Sequence, residues 1–330
     1  MERLVSRLEL ESLLASIAHR AEDQRRDPRA GIFGPSSVTW KINREAALFL
    51  GAGRAALLQL AHPWVATALT QHSSLLGDPI ARFQNTFRIV FTMIFGSVGQ
   101  AFAASRHLHT LHTGIRGEMS DTVAAWPRGS HYEANEIAAL RWVFATLVAS
   151  AVLAYECVGH LSDAEREQYY EESKTTAALF GIPADALPRD WTAFDEYCRA
   201  MVASDTLGVS PTARSMGHAI LSGAGSWIRP PRWYRTLTVG WLPVRIRNEF
   251  GLPLSLWGER AAARARRWLP RLWKMLPPFL RFVGPYREAM ARISNHSVSG
   301  FTRISNRFWI GQSHLPFTEE PWKSPPPVTY

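Results

Sequence analysis

The run EIAALRWVFATLVASAVLAYECVG, from Glu136 to Gly159, constrains this chain more than any other stretch. It is apolar almost from end to end, and a glycine closes it. Its densest part, Trp142–Tyr155, is shorter than the ~20 apolar residues that cross a bilayer, so it reads as a helix buried inside a protein. A second apolar stretch, Phe87–Ser105, is interrupted by Arg88 and Gln100 and reads the same way. Other segments carry helical punctuation. LSDAEREQYYEESKTTAALFG opens on Ser162 with Glu165 three residues later, the spacing of a capping box, and stops at Gly181. REAALFLGAGRAALLQLAHP runs from Arg44 to a proline stop at Pro63, and TAFDEYCRAMVAS is amphipathic. No sustained period-2 alternation marks a sheet. The expected fold is all-α.

At 330 residues and 46% hydrophobic content, the chain is long enough to bury one large core. Residues 1–30 read as an N-terminal helical extension, 31–296 as a single large helical domain, and 297–330 as a C-terminal tail. A weaker internal boundary falls near 222–231, where SGAGSWIRPP clusters Gly and Pro. Beyond it, WLPVRIRNEFGLPLSLW and RWLPRLWKMLPPFLRFVGP alternate short helices with prolines, and these are predicted to pack on the N-terminal helices. The two cysteines, Cys157 and Cys198, form no tight ligand pair, which argues against a disulfide framework and a cysteine-based zinc site. The charged N-terminus lacks the apolar core of a signal peptide, so the expected location is cytoplasmic.

Charge is unevenly placed. Residues 229–330 carry 17 Lys+Arg against 5 Asp+Glu and 7 of the 13 tryptophans, whereas the preceding part carries 20 against 23. No nucleic-acid motif accompanies this bias, so no nucleic-acid partner is expected. A solvated helical face and weak peripheral contact with an anionic membrane are the two remaining readings. Arg264, Arg266, Arg267, Arg271 and Lys274 interleave with Trp268, Leu269, Leu272 and Trp273, the composition of an interfacial helix.

The stretch RHLHTLHTGIRG places His107, His109 and His112 within six residues. At 3.6 residues per turn, His109 and His112 lie about 60° apart on a helix, and His107 points elsewhere. A non-haem metal centre would need carboxylates at matching spacing, and no Glu-x-x-His is present. His62 and His72 are further imidazoles, with nothing in the sequence to bring them in. A haem iron needs only one neutral imidazole, together with close-packing glycines such as Gly114 and Gly117 and cations for its propionates. The apolar segment DPIARFQNTFRIVFTMIFG offers Arg82 and Arg88 for that purpose. A hydrogen-bonded core histidine is the remaining alternative.

The blocks GRAALLQLAHPWVATALTQHSSLLGDPIARFQNT, LHTGIRG, LRWVFATLVASAVLAYE and LSDAEREQYYEESKTTAALFGIP resemble the latex-clearing rubber oxygenases and MpaB-type oxygenases. So does LPVRIRNEFGLPLSLWGERAAARARRWLPRLWKMLPPFLRFVGPYREAMAR, so that the likeness covers roughly Ile32 to Ser294. The resemblance implies an all-helical fold, b-type haem held by one histidine in a crevice between helices, and oxidative cleavage of carbon–carbon double bonds in polyisoprenoids. The family's Arg-x-x-x-Thr falls on Arg82 and Thr86, and its iron ligand falls on His112, leaving His107 and His109 as bystanders. Two departures stand out. The lysine that precedes the threonine in rubber oxygenases is Asn85 here, a hydrogen-bond donor to bound oxygen rather than an iron-capping amine. The distal glutamate has no counterpart, since His72 is no carboxylate.

The expectation is therefore a haem b-dependent oxygenase that takes dioxygen and a small hydrophobic, alkene-containing molecule. His112 is the iron ligand, Arg82 and Thr86 are cofactor-binding, and Asn85 and Thr86 are the catalytic candidates. The alternative is a non-catalytic, membrane-surface or lipid-handling helical protein.

Overall fold

A computed structural model describes residues 3–25, 27–72, 79–224, 229–254 and 256–317; the side chains of residues 79, 256, 257, 259 and 261–267 lie outside the description. In chain order the helices are α1 (Arg7–Asp23), α2 (Val38–Asn43), α3 (Ala52–Leu60), α4 (Pro63–His72), α5 (Pro79–Phe95) and α6 (Val98–Thr113). After a two-stranded hairpin come α7 (Ile137–Tyr155), α8 (Asp163–Leu179), α9 (Trp191–Ala203), α10 (Pro211–Ser222), α11 (Arg232–Trp241) and α12 (Val244–Glu249). The last are α13 (Leu256–Met275), α14 (Pro278–Arg281), α15 (Gly284–Ile293) and α16 (Gly300–Ile310). The hairpin pairs β1 (Arg116–Glu118) antiparallel with β2 (His131–Glu133), with Gly117 opposite Tyr132. Those strands are three residues each, so the architecture is all-α.

The axis of the molecule is α7. It buries residues on every side, from Ile137 to Tyr155, because α2, α3 and α8 and the turn before α3 wrap it. By length and composition it is apolar enough to cross a membrane, yet about two-thirds of its apolar window is covered by the rest of the chain. The Trp142 indole on α7 donates to the Leu58 carbonyl of α3 at 2.9 Å, which satisfies a buried polar group and fixes the rotation of the two helices. Helix α8 begins as its sequence predicts. Ser162 and Glu165 form the reciprocal capping box, and the Glu165 carboxylate also holds Lys41 of α2. Gly181 follows the helix at φ +88, a backbone conformation that costs glycine little.

Two sequence readings are corrected. The stretch from Arg44 to Pro63 is not one helix, since residues Ala46–Gly51 form a 3-10 turn before α3 begins. The cause is proximity to α7: a Cβ on Gly51 would lie 2.5 Å from the Ser150 carbonyl oxygen, so the backbone itself touches the axis helix there. The segment from 297 onward is not all tail. It contains α16, capped by Ser299, and this helix packs on α5 and α15. Three bonds fasten its C-terminal end to α5. Gln84 Nε2 donates to the Arg307 and Phe308 carbonyls at 3.2 and 3.0 Å, and Arg88 Nε donates to the Ile310 carbonyl at 2.9 Å.

Helices α5 and α6 form an antiparallel pair that turns at Gly96 and Ser97, dividing the apolar stretch 87–105 into two elements. Ser97 and Gln100 make a second reciprocal capping box there. This pairing brings the N-terminal end of α5 opposite the C-terminal end of α6, which places Arg82 across from His112.

On the other side, α13 and α14 are tied down by a buried carboxylate. Glu45 accepts from Trp273 Nε1 and from Arg281 Nη2, each at 2.8 Å. Of the two tryptophans in this segment, Trp273 therefore turns inward, while Trp268 is exposed. Arg264, Arg266 and Arg267 fall among the side chains outside the description.

Candidate functional site

The α5 sequence repeats apolar residues at Ile80, Phe83, Phe87, Val90 and Ile94, a spacing of three and four that puts all five on one face. In the fold this face lines a cavity of about 680 Å³ that runs between α5, α3, α7, α8 and α16. From Ile80 to Ile94 the wall is roughly 21 Å long at 1.5 Å per residue. The volume lies inside the ~300–1,000 Å³ typical of small-molecule sites.

Aromatic rings build one side of it. Phe49 lies within 6.0 Å, centroid to centroid, of Phe83, Phe87 and Phe91, and Trp309 of α16 stacks flat upon it at 3.8 Å. Toward α2 and α8 the lining includes Asn43, Tyr169, Ser173 and Thr176. Burial raises the Tyr169 phenol well above its ordinary value, so it stays neutral. Among the described lining residues the charged ones are Arg82 and Arg307, with no carboxylate. Such a cavity attracts apolar molecules and, at the Arg82 end, anionic groups.

Arg82 sits at the N-terminal end of that wall. Burial lowers its pKa to about 10, which leaves the guanidinium charged at neutral pH. Across from it, His112 stands on the last turn of α6. Residue 112 keeps intermediate exposure, yet its imidazole is desolvated enough that its pKa falls to about 4. Burial is the main cause, and the positive charges of His109 and Arg82 add to it. His112 is therefore neutral at physiological pH, with its lone pair available. Among the described residues neither ring nitrogen has a hydrogen-bond partner.

The neighbouring histidines are occupied differently. His109 Nε2 lies 3.1 Å from the Val5 carbonyl, and His107 is exposed with its ring 5.4 Å from Phe317. His62 is buried against Trp64 and Trp126, and His72 Nε2 is 3.1 Å from the Arg116 carbonyl. No three His, Cys, Asp or Glu side chains among the described residues converge to hold a metal ion. The chain thus offers a single neutral imidazole close to the Arg82 guanidinium; Arg82 lines the apolar cavity, whereas His112 is not among its described lining residues. A haem needs one neutral axial nitrogen, a cation for a propionate and apolar walls for the macrocycle; here the nitrogen and the cation lie close together, and the apolar walls adjoin the cation.

The other candidates sit less favourably. Thr86 lines the cavity, but its hydroxyl donates to the Arg82 carbonyl at 3.1 Å within its own helix. Asn85 is exposed and lies outside the cavity lining, so its side chain does not face the space where a substrate would sit. Sequence reasoning missed the aromatic side of the cavity. Phe83 and Phe87 were visible as an i, i+4 pair, but Phe49 and Trp309 lie far from them along the chain.

Residues 40–273, more than two-thirds of the chain, match the family described as ER-bound oxygenase mpaB/B'/Rubber oxygenase, catalytic domain. No curated protein and no solved structure matches the chain. The match spans α2 to α13 and so includes Arg82, Thr86, His112 and most of the cavity wall, and on it the chain belongs to the mpaB/rubber oxygenase family of oxygenases.

Proposed function

We propose that this oxygenase depends on haem b and acts on a small hydrophobic molecule bearing an alkene, by oxidative double-bond cleavage or a related oxygenation. One observation carries the reading: a desolvated, neutral His112 opposite Arg82, which itself lines a long apolar cavity. When bound, the haem iron supplies the activation of dioxygen.

The remaining work belongs to the chain. His112 would hold the iron through its neutral nitrogen, and Arg82 would pair with a propionate. Phe49, Phe83, Phe87 and Trp309 exclude water and hold an apolar chain against α5. The lack of a carboxylate among the described lining residues disfavours cationic ligands there. Thr86 lines the same wall with its hydroxyl committed to the Arg82 carbonyl of its own helix.

The test is an absorption scan of protein purified from cells supplied with a haem precursor. A Soret band and a b-type pyridine haemochrome are expected. A colourless protein that still takes up apolar ligands would overturn the haem reading and leave a lipid-handling protein.

A further inference from the structure

Outside the cavity, exposed apolar side chains gather on α13, α14 and α16. Leu272 and Met275 are one turn apart on the outer face of α13, opposite the Trp273 side that Glu45 anchors. They are 58% and 80% exposed, and Phe279 and Leu280 continue the surface through α14. Phe301 and Ile304 carry it onto α16, where Ile304 is 64% exposed. Phe279 and Phe301 meet edge to face at 5.4 Å, so the helices present one continuous patch rather than scattered residues.

The rim of this patch has one sign of charge. Arg271, Lys274, Arg303 and Arg307 are all exposed around it. From residue 260 to 317 the sequence carries eleven Lys+Arg and a single acid, Glu288. That acid is buried, where it accepts from Asn306 Nδ2 and from the Leu315 N–H. The one acid of this stretch is thus turned into the interior, away from the exposed rim.

The patch also meets the cavity. Phe308 is 49% exposed and at the same time lines the cavity, and its neighbour Arg307 does both as well. The edge of α16 is where the apolar interior reaches the surface.

We propose that this face docks on an anionic lipid surface, with the Phe308 edge of the cavity turned toward the bilayer. Bulky apolar side chains enter the headgroup boundary while the rim cations meet lipid phosphates. A second copy of the same face would bring like charges together, so charge complementarity selects an anionic surface over self-association. Docking stands on the surface alone; entry of substrate from the bilayer rests on the hydrophobic-substrate reading above.

The full chain is sedimented with phosphatidylcholine vesicles and with vesicles that also contain phosphatidylglycerol, at low and high salt. Binding about tenfold or more stronger to the anionic vesicles, weakened by salt, is expected. The variant Met275→Ser/Phe279→Ser/Ile304→Ser loses binding, and Arg271→Gln/Lys274→Gln/Arg303→Gln loses the anionic preference. The single Ile304→Ser variant serves if the triple apolar variant fails to fold. Quenching of Trp268 fluorescence by brominated lipid reports the depth of contact. No sedimentation at low salt, or variants that bind like the wild type, overturns the proposal. A concentration-dependent dimer that the apolar variant abolishes, without vesicle binding, reassigns the face to self-association. Vesicle binding without a Soret band refutes the haem reading alone.

Discussion

Trp309 lies flat on Phe49, with ring centroids 3.8 Å apart and planes 4° from parallel. The two residues are 260 positions apart, and their contact closes the cavity on the side that α5, α3 and α7 leave open. Trp309→Ala removes that ring and leaves Phe49, Phe83 and Phe87 facing an enlarged space. The expected loss is about 2 kcal/mol of stability, below the ~3–5 kcal/mol of a fully buried tryptophan because Trp309 is only partly covered. Urea denaturation checks this, and uptake of a bulkier apolar probe checks the enlargement.

His112→Ala abolishes haem retention, whereas His107→Ala and His109→Ala leave most of it. His109 is engaged by the Val5 carbonyl and His107 is exposed, whereas His112 is the desolvated imidazole that feels the charge of Arg82. Absorbance ratios of haem to protein distinguish the three variants. Equal losses across them would remove the assignment.

Arg82→Gln keeps the length of the side chain roughly but removes a positive charge that lies close to His112. Weaker haem retention is expected, together with a rise in the pKa of the apo-protein imidazole. The second effect is read by NMR titration of the His112 ring and does not depend on any cofactor.

The apo chain also loses stability as pH falls from about 6.5 toward 4. The His112 imidazole binds its proton near 4 when folded and near its ordinary 6.5 when unfolded. In that window the unfolded chain holds more protons, and stability falls with pH. The stabilisation is fully present above 6.5. His112→Gln flattens this part of the curve, measured by thermal melts across a pH series.

Glu45→Ala strands Arg281 and the Trp273 N–H in a largely buried position. Losing one partner of a buried ion pair costs about 3 kcal/mol or more. Glu165→Gln, at a more exposed pair, costs less, about 1 kcal/mol from its capping box. Paired denaturation curves test the ranking, and a larger loss at residue 165 than at 45 would reverse it.

Which of these features the sequence disclosed depends on how far apart the partners lie. The Ser162–Glu165 box and the Gly181 stop need only neighbours within a turn, so both were legible. So were the all-α class and the buried character of α7, which follow from local periodicity. Arg82 and His112 were named through resemblance, and their approach depends on a hairpin turn at Gly96 that no apolar pattern announced. The 3-10 turn at Ala46–Gly51 arises from contact with Ser150, about a hundred residues away. Trp309 was hidden for the same reason, since its partner is near the other end of the chain. The exposure of Asn85 depends on which face of α5 meets the cavity, which the neighbouring phenylalanines reveal only once that face is fixed.

Helix α16 has a consequence in time as well as in space. His112, Arg82 and most of the cavity wall are synthesised well before residues 300–310 leave the ribosome. Until then the cavity stands open along the side that Trp309 later covers. A flat, rigid guest has its widest entrance during that interval. Gln84 and Arg88 then draw α16 shut over whatever has already settled inside.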